Sequence, residues 1–332
     1  MSLISLLIAL AAERYLSSSA WQFSMYYSRY SAFFKRYLAI GAPNKSMVVN
    51  SLFVLIPVVG CYFLLGLIDN SLIHLIISTV VLIVCFGCVN TRDIYKQYLM
   101  AAFRGETTTC DMHHQQLLQD KNLPDMGFGQ MLIWLNYRYF IAIMIFFVIF
   151  GAPGALFYRL MAKLNEASVE EANSKASNID EPSVTEEALV SQNESNEGES
   201  EYVQQATDST QDTINENRTD NEAEVSEENA DVVALNQQVL FWLDWLPVRL
   251  LAFGYMLVGH FSRALPVWLE NFFDVGKLPH NVLISVAEKS EDFMIDKNDC
   301  TAEPCLLVRL AKRSLLLCLS VIAMLILTGV IS

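Results

Sequence analysis

Long uncharged apolar stretches constrain the fold of this chain more than any other feature of its sequence. Residues 51–68, 72–89 and 314–331 contain no Asp, Glu, Lys or Arg. A membrane-spanning helix needs about 20 predominantly apolar residues, because the hydrocarbon core of a bilayer is about 30 Å thick. These three stretches therefore predict helices that cross a membrane.

Two further apolar stretches, residues 139–157 and 240–261, contain residues that are uncommon in lipid-facing helices. The first contains Gly151-Ala152-Pro153-Gly154, and the second contains Asp244 and Arg249. Since 53% of the whole chain is hydrophobic, we still interpret both as spans. The sequence predicts an all-α, polytopic membrane helix bundle of four to five spans.

An acidic segment, residues 165–232, separates two membrane halves, residues 1–164 and 233–332. It holds 20 of the 36 acidic residues and only 2 of the 22 basic residues of the chain. Such a composition cannot bury enough apolar surface to offset the loss of chain entropy, so it predicts a disordered linker. The rest of the chain is mildly basic, as expected of a membrane protein with Lys and Arg in its cytoplasmic loops.

The distribution of basic residues predicts the orientation. The flanks of the first two spans are basic, whereas the turn between the two spans has no basic residue. The basic residues are Arg29, Lys35, Arg36 and Lys45 before the first span, and Arg92, Lys96 and Arg104 after the second span. Lys and Arg concentrate on the cytoplasmic side. We therefore expect residues 91–130 and 262–313 to form amphipathic cytoplasmic helices, and a third span to deliver the acidic segment outside. The apolar residues 1–12 should lie in the interface or plug into the bundle.

Charged and polar residues in or beside the predicted spans form a candidate pocket. Its members are Glu13, Arg14, Asn136, Arg138, Asp244, Arg249 and His260. Unpaired charges are costly at membrane depth and usually face a partner or an aqueous cavity. We expect one buried cluster in which Arg249 contacts Glu13 or Asp244. Two interpretations stay open: a structural one, in which Pro247 opens the helix, and a functional one, in which a broken helix presents polar groups to a ligand.

Motifs of soluble enzymes are missing from the sequence. It contains no Walker A pattern, no serine nucleophile elbow and no zinc-protease helix, and His113-His114 has no cysteine pair at metal spacing. Cys300 and Cys305 fall in a predicted cytoplasmic loop and should be reduced thiols. We predict no catalytic or metal-binding residue, no cofactor and no nucleic-acid partner.

Three blocks give the chain a family resemblance. They are "LLIALAAERYL" near the start, "LIWLNYRYFIAIMIFFVIFGAPGALFYRL" in the middle and "LDWLPVRLLAFGYMLVGHFSRALPVWL" after the acidic segment. Together they resemble the AmpE family. The resemblance implies a multi-pass regulatory protein of the bacterial inner membrane, linked to β-lactamase induction and cell-wall stress. It also implies a lipid bilayer around the protein, with the cytosolic muropeptide amidase or another membrane protein as partner.

The AmpE family belongs to a wider group that includes the membrane enzyme adenosylcobinamide-phosphate synthase. The synthases resemble this chain at Asn136, Asp244, Pro247 and Arg249, but the two carboxylates that accompany the synthase asparagine are absent from residues 135–139. A ligase needs acids to hold metal and nucleotide, so a non-catalytic role is favoured. The alternatives are a membrane-bound ligase or transferase, and a carrier of muropeptides or other small solutes.

Overall fold

The computed structural model describes residues 2–15, 21–37, 47–87, 89–177, 212–291 and 301–329, with the backbone alone for residues 2, 14, 171–177 and 212–231. Over these ranges the chain forms α-helices, one π-helical turn and no strand. The helices are α1 (Ser2–Tyr15), α2 (Phe23–Tyr37), α3 (Met47–Gly66), α4 (Ser71–Phe86), α5 (Val89–Phe103), α6 (Thr107–Lys121), α7 (Phe128–Asn136), α8 (Ala142–Ser177), α9 (Asp212–Val258), α10 (Phe261–Phe272), α11 (Pro279–Ser290) and α12 (Ala302–Leu327), and the π-turn is Tyr137–Ile141.

The all-α membrane class is confirmed. In the described part of the chain, four helical segments are long and apolar enough to cross a bilayer: Met47–Gly66, Phe128–Glu170, Val232–Val258 and Ala302–Leu327. Helix α4 has 16 residues and joins α5 at a bend of 43°, and this pair would provide a fifth span. The amphipathic loops of the prediction are helices α5, α6, α10 and α11.

Helix α1 packs into the bundle against α4. Leu6 and Ala9 on one side of α1 are fully buried, whereas Ile4, Leu7 and Ile8 on the other side are exposed. An apolar exposed face is suited to lipid contact, since lipid tails are as apolar as the side chains themselves. Of the two expectations for the N-terminal residues, the packing supports the helix that plugs into the bundle.

The segment Phe128–Glu170 is a helical hairpin and not one straight span. Gly151 has φ 72° and ψ −163°, a conformation in which a helix cannot continue. A straight helix would hold Tyr139 and Arg159 about 30 Å apart, yet the Arg159 guanidinium lies 4.2 Å from the centre of the Tyr139 ring. Likewise the rings of Phe146 and Tyr158 stack at 5.0 Å. The expectation of a single crossing at residues 139–157 is therefore wrong, because Gly151 reverses the chain.

The hairpin brings its two ends to the same side of the bundle. The side-chain amide of Asn122, before the hairpin, donates to the carbonyl of Glu166, near its end, over 3.3 Å. The tip, residues 147–153, lines a cavity with residues next to the α3–α4 turn, at the far end of those helices. The acidic segment therefore leaves the bundle beside residues 91–130. The expectation that it starts on the opposite side is wrong, because that expectation assumed one crossing.

The helices on either side of the acidic segment extend into it. Helix α8 continues to Ser177 and α9 begins at Asp212, inside the predicted linker boundaries of 165 and 232. Glu166, which composition assigned to the linker, is buried. The middle of the predicted linker, residues 178–211, lies outside the described residues.

Candidate functional site

The π-turn Tyr137–Ile141 positions the centre of the candidate site. In this turn the amide of Ala142 donates to the carbonyl of Tyr137, five residues earlier. The wider turn places Tyr137, Arg138 and Tyr139 around the helix at spacings that a regular α-helix does not provide. Such turns inside α-helices are frequent at functional sites.

Asp244 of α9 lies between the two arms of the hairpin. Its Oδ1 atom accepts hydrogen bonds from the hydroxyl of Tyr137 at 2.7 Å and from the hydroxyl of Tyr158 at 2.8 Å. Tyr137 belongs to the first arm and Tyr158 to the second, and both are fully buried, while Asp244 is 2% exposed. The carboxyl group thus joins three helical segments at one oxygen atom.

Arg138 is buried beside this group. Its guanidinium lies 5.1 Å from the ring centre of Trp134, and it is close enough to Asp244 to interact with the charge of the carboxylate. Within the described ranges no direct ion pair joins the two, and the Nε atom of Arg138 has no hydrogen-bond partner there. Asn136, two residues earlier, is half-buried, with its Oδ1 atom also unpartnered among the described residues.

A second polar cluster surrounds Tyr139 on the other side of the hairpin. The Tyr139 ring lies between Arg159, at 4.2 Å, and the Nζ atom of Lys121, at 5.1 Å. Glu166 is buried one helical turn beyond Lys163, and the two form an ion pair at 3.1 Å. The electrostatic partners of Glu166 also include Arg159 and Lys121. Basic groups therefore outnumber acids in this cluster.

Arg249 lies apart from both clusters and contacts neither Glu13 nor Asp244, so that prediction is wrong. Its guanidinium donates to three backbone carbonyls, those of Trp245 at 3.0 Å, Phe272 at 2.9 Å and Asp274 at 2.6 Å. It also stacks on the Trp245 ring at 4.1 Å. Carbonyl oxygens at the end of α10 replace the acid that we expected. Arg249 thus fastens α9 to the connection between α10 and α11.

Glu13 also has a different partner from those predicted. It forms an ion pair with Arg92 of α5 at 3.0 Å, and the same guanidinium donates to the Glu13 carbonyl at 2.9 Å. Burial raises the pKa of the Glu13 carboxyl above its ordinary value, and the positive charge of Arg92 opposes this rise. The pair fastens α1 to the start of α5.

Of the two remaining predicted residues, His260 does not join the site. The side chain of Arg14 lies outside the described residues. His260 is exposed between α9 and α10, where its backbone amide donates to the carbonyl of Ser290 at 2.8 Å. Over the described ranges, no three His, Cys, Asp or Glu residues come together as metal ligands.

Most partners of the buried charges are residues that were not predicted from the sequence. These are Tyr137, Tyr139, Tyr158, Arg159, Lys121 and Glu166. One signal for them was present, because Tyr-Arg pairs stand on both sides of the glycine and proline residues at the hairpin tip, at 137–138 and 158–159. A chain that reverses at Gly151 brings these pairs together.

The fold and the site define a polytopic membrane protein with an internal polar site. The charged groups of this site lie between the hairpin and α9. The model of the family described as "Regulatory signalling modulator protein AmpE" matches residues 1–168 and 225–332. The chain belongs to this family. All residues of the internal site lie within the matched ranges.

A curated relative is protein AmpE of Shigella flexneri, which is 36% identical over 93 residues, or 27% of this chain. The match covers 32% of the relative, so the chain spans about a third of the length of the curated protein it matches. The search of solved structures found no match to the chain.

Proposed function

We propose that the protein is a non-enzymatic regulator in the bacterial inner membrane that links cell-wall disturbance to β-lactamase induction. The match to a family of regulatory signalling modulators supports the regulatory role. The basic flanks of α3 and α4 support the orientation expected in an inner membrane. The family relationship supports the connection to β-lactamase.

The observation that carries this proposal is the convergence of Tyr137 and Tyr158 on Asp244. A regulatory protein needs an element with two arrangements whose balance a stimulus can change. Here α9 cannot shift along either arm of the hairpin without losing a buried hydrogen bond to a carboxyl group. A stimulus that moves one arm would therefore change the position of α9.

Helix α9 also offers a route from the hairpin to the polar helices of the C-terminal half. Arg249 holds the end of α10 through the carbonyl of Phe272 and the following connection through the carbonyl of Asp274. Helix α11 packs along α9 in turn. The proposed partner is the cytosolic muropeptide amidase or another membrane protein.

A deletion experiment tests the regulatory role. In a strain with inducible β-lactamase, we would delete the gene and measure enzyme activity before and after a cell-wall inhibitor. The proposal expects the induced level to change on deletion and to return when the intact protein is supplied. An induced level that is the same in all three strains would contradict it.

A second experiment separates the regulator from the ligase alternative. The purified protein in detergent would be incubated with ATP and Mg²⁺, and phosphate release would be measured for the intact chain and for Asn136→Ala. The proposal expects release at the background rate in both. ATP hydrolysis by the intact chain that is lost in Asn136→Ala would establish catalysis and exclude a purely regulatory role.

A further inference from the structure

A cavity of about 280 Å³ lies beside the second polar cluster. It lies where the α4–α5 junction, the end of α6 and both arms of the hairpin meet. Its lining is mostly polar or charged; the charged residues in it are Asp93, Lys121, Arg159, Lys163 and Glu166. Its size suits a small ligand, since pockets for drug-sized molecules start at about 300 Å³.

The charges around this cavity do not balance. Both carboxylates in the lining already have a lysine partner: Glu166 pairs with Lys163 at 3.1 Å, and Asp93 pairs with Lys96 at 3.1 Å. Lys121 and Arg159 have no carboxylate within 4 Å in the described part of the chain. Among the residues that the structure describes, these two positive charges therefore face the cavity without a direct acidic partner.

The burial of Arg159 and its unpartnered N–H groups also indicate that the cavity holds an anion. Arg159 is only 4% exposed, and its Nε and Nη1 atoms have no hydrogen-bond partner among the described residues. Its guanidinium is held between the rings of Tyr139, at 4.2 Å, and Phe23, at 5.2 Å. These rings stabilise the cation through its contacts with their faces. A buried cation with unused donors is costly unless an anion compensates it.

The hydroxyl of Tyr139 adds a neutral donor at the same place. It is buried and lacks a hydrogen-bond partner in the described ranges. Together with the Nζ atom of Lys121 and the N–H groups of Arg159, it forms a set of donors around one cavity. Several donors with two positive charges match the oxygen atoms of a phosphate group, which accept charge-assisted hydrogen bonds.

We propose that this cavity binds a phosphate-type anion, with Arg159 and Lys121 as the cationic ligands and the Tyr139 hydroxyl as a neutral donor. The anion is either a small soluble phosphate or phosphate monoester, or the headgroup of an anionic phospholipid. The carboxylate of Glu166 lies near the bound anion and opposes it. This assignment is independent of the regulatory role, because it rests only on the groups that line the cavity.

Binding to the purified full-length protein tests the proposal. In the soluble arm, the melting temperature is measured against increasing inorganic phosphate and glycerol 3-phosphate, since a ligand of the folded state raises it. In the lipid arm, native mass spectrometry counts the phosphatidylglycerol that stays bound after extraction from nanodiscs of phosphatidylglycerol and phosphatidylcholine. Saturable binding in either arm is expected, and the arm that responds identifies the source of the anion.

Four variants connect the binding to this cavity. Arg159→Gln and Lys121→Gln should each weaken the binding about tenfold or more, because each removes a charge-assisted contact. Glu166→Gln should tighten it, because a repelling charge is removed. Arg104→Gln is the control and should not change the binding, because the Arg104 side chain, just after the end of α5, is 71% exposed.

The results can contradict the proposal in two ways. One is an absence of saturable binding in both arms. The other is equal affinity in the intact protein, Lys121→Gln and Glu166→Gln. Lys121 is only half-buried, so this pair of variants gives an answer even if Arg159→Gln does not fold.

Discussion

The hydroxyl of Tyr158 donates a hydrogen bond of 2.8 Å to Asp244, although 86 residues separate the two in the chain. A carboxyl group in a membrane interior is strongly disfavoured unless donors or cations surround it. The second donor, Tyr137, is itself 107 residues from Asp244. The site therefore exists only when the hairpin and α9 are assembled.

Removing one of these hydroxyls should destabilise the protein. We expect Tyr158→Phe and Tyr137→Phe each to lower the free energy of unfolding by about 1–3 kcal/mol, the usual range for a hydrogen bond to a charged group. Thermal unfolding in detergent measures this. Tyr255→Phe is a matched control, since Tyr255 is also fully buried but lies eleven residues further along α9. Equal losses in all three variants would indicate ring packing and not the bond to Asp244.

Arg249 should be essential for stability, independently of Asp244. Arg249→Met removes the guanidinium that donates to three backbone carbonyls, and we expect the free energy of unfolding to fall by about 3 kcal/mol or more. Adding Asp244→Asn should not recover any of this loss, because the two residues share no partner in the described ranges, and the effects should add. Unfolding of the single and double variants measures the coupling. Recovery of stability in the double variant would show that the two charges interact.

The hairpin should depend on a glycine at position 151. An alanine there would have to adopt φ 72° and ψ −163°, at a cost of about 1–3 kcal/mol. We expect Gly151→Ala to lower the melting temperature and the amount of protein in the membrane. Gly60→Ala in α3 is the control, because nothing lies within 4 Å of the added carbon atom. Identical behaviour of the two variants would contradict the reversal at Gly151.

His280 should make the stability depend on pH. Burial lowers the pKa of His280 below its ordinary value of 6.5, and the charge of Arg138 lowers it further. The folded protein then binds fewer protons than the unfolded chain as the pH falls below 6.5, so acidification should reduce the free energy of unfolding. Unfolding measured between pH 7.5 and about pH 5 should show this slope, and His280→Gln should reduce it. If the free energy of unfolding depends on pH in the same way in His280→Gln, other groups cause the loss of stability at acidic pH.

The apolar stretches predict the class of fold because the thickness of a bilayer fixes the length of a span. The same rule does not show how many times a segment crosses. Residues 139–157 satisfy it, and the signal for the reversal, two glycines and a proline at 151–154, is equally typical of a kink. The contacts of Tyr139 with Arg159 and of Phe146 with Tyr158 distinguish a reversal from a kink.

The partners of the charges were harder to predict than their burial. Arg249 was expected to need an acid, but backbone carbonyls at the end of α10 satisfy it, and sequence does not reveal where a helix end lies in space. Asp244 was expected to need a base, but two tyrosines hold it. Tyrosine carries no formal charge, so it did not appear in a search for compensating charges. Glu166 was assigned to the linker because composition averages over a segment and ignores single buried residues.

The most direct test of the central claim is β-lactamase induction in cells that carry Tyr137→Phe with Tyr158→Phe. The deletion strain would be complemented with this double variant or with Tyr255→Phe, and the induced activity would be compared at equal amounts of protein in the membrane. The account predicts that Tyr255→Phe restores the induced level of the intact protein and that the double variant does not. Full restoration by the double variant would contradict a regulatory role for the connection between the hairpin and α9.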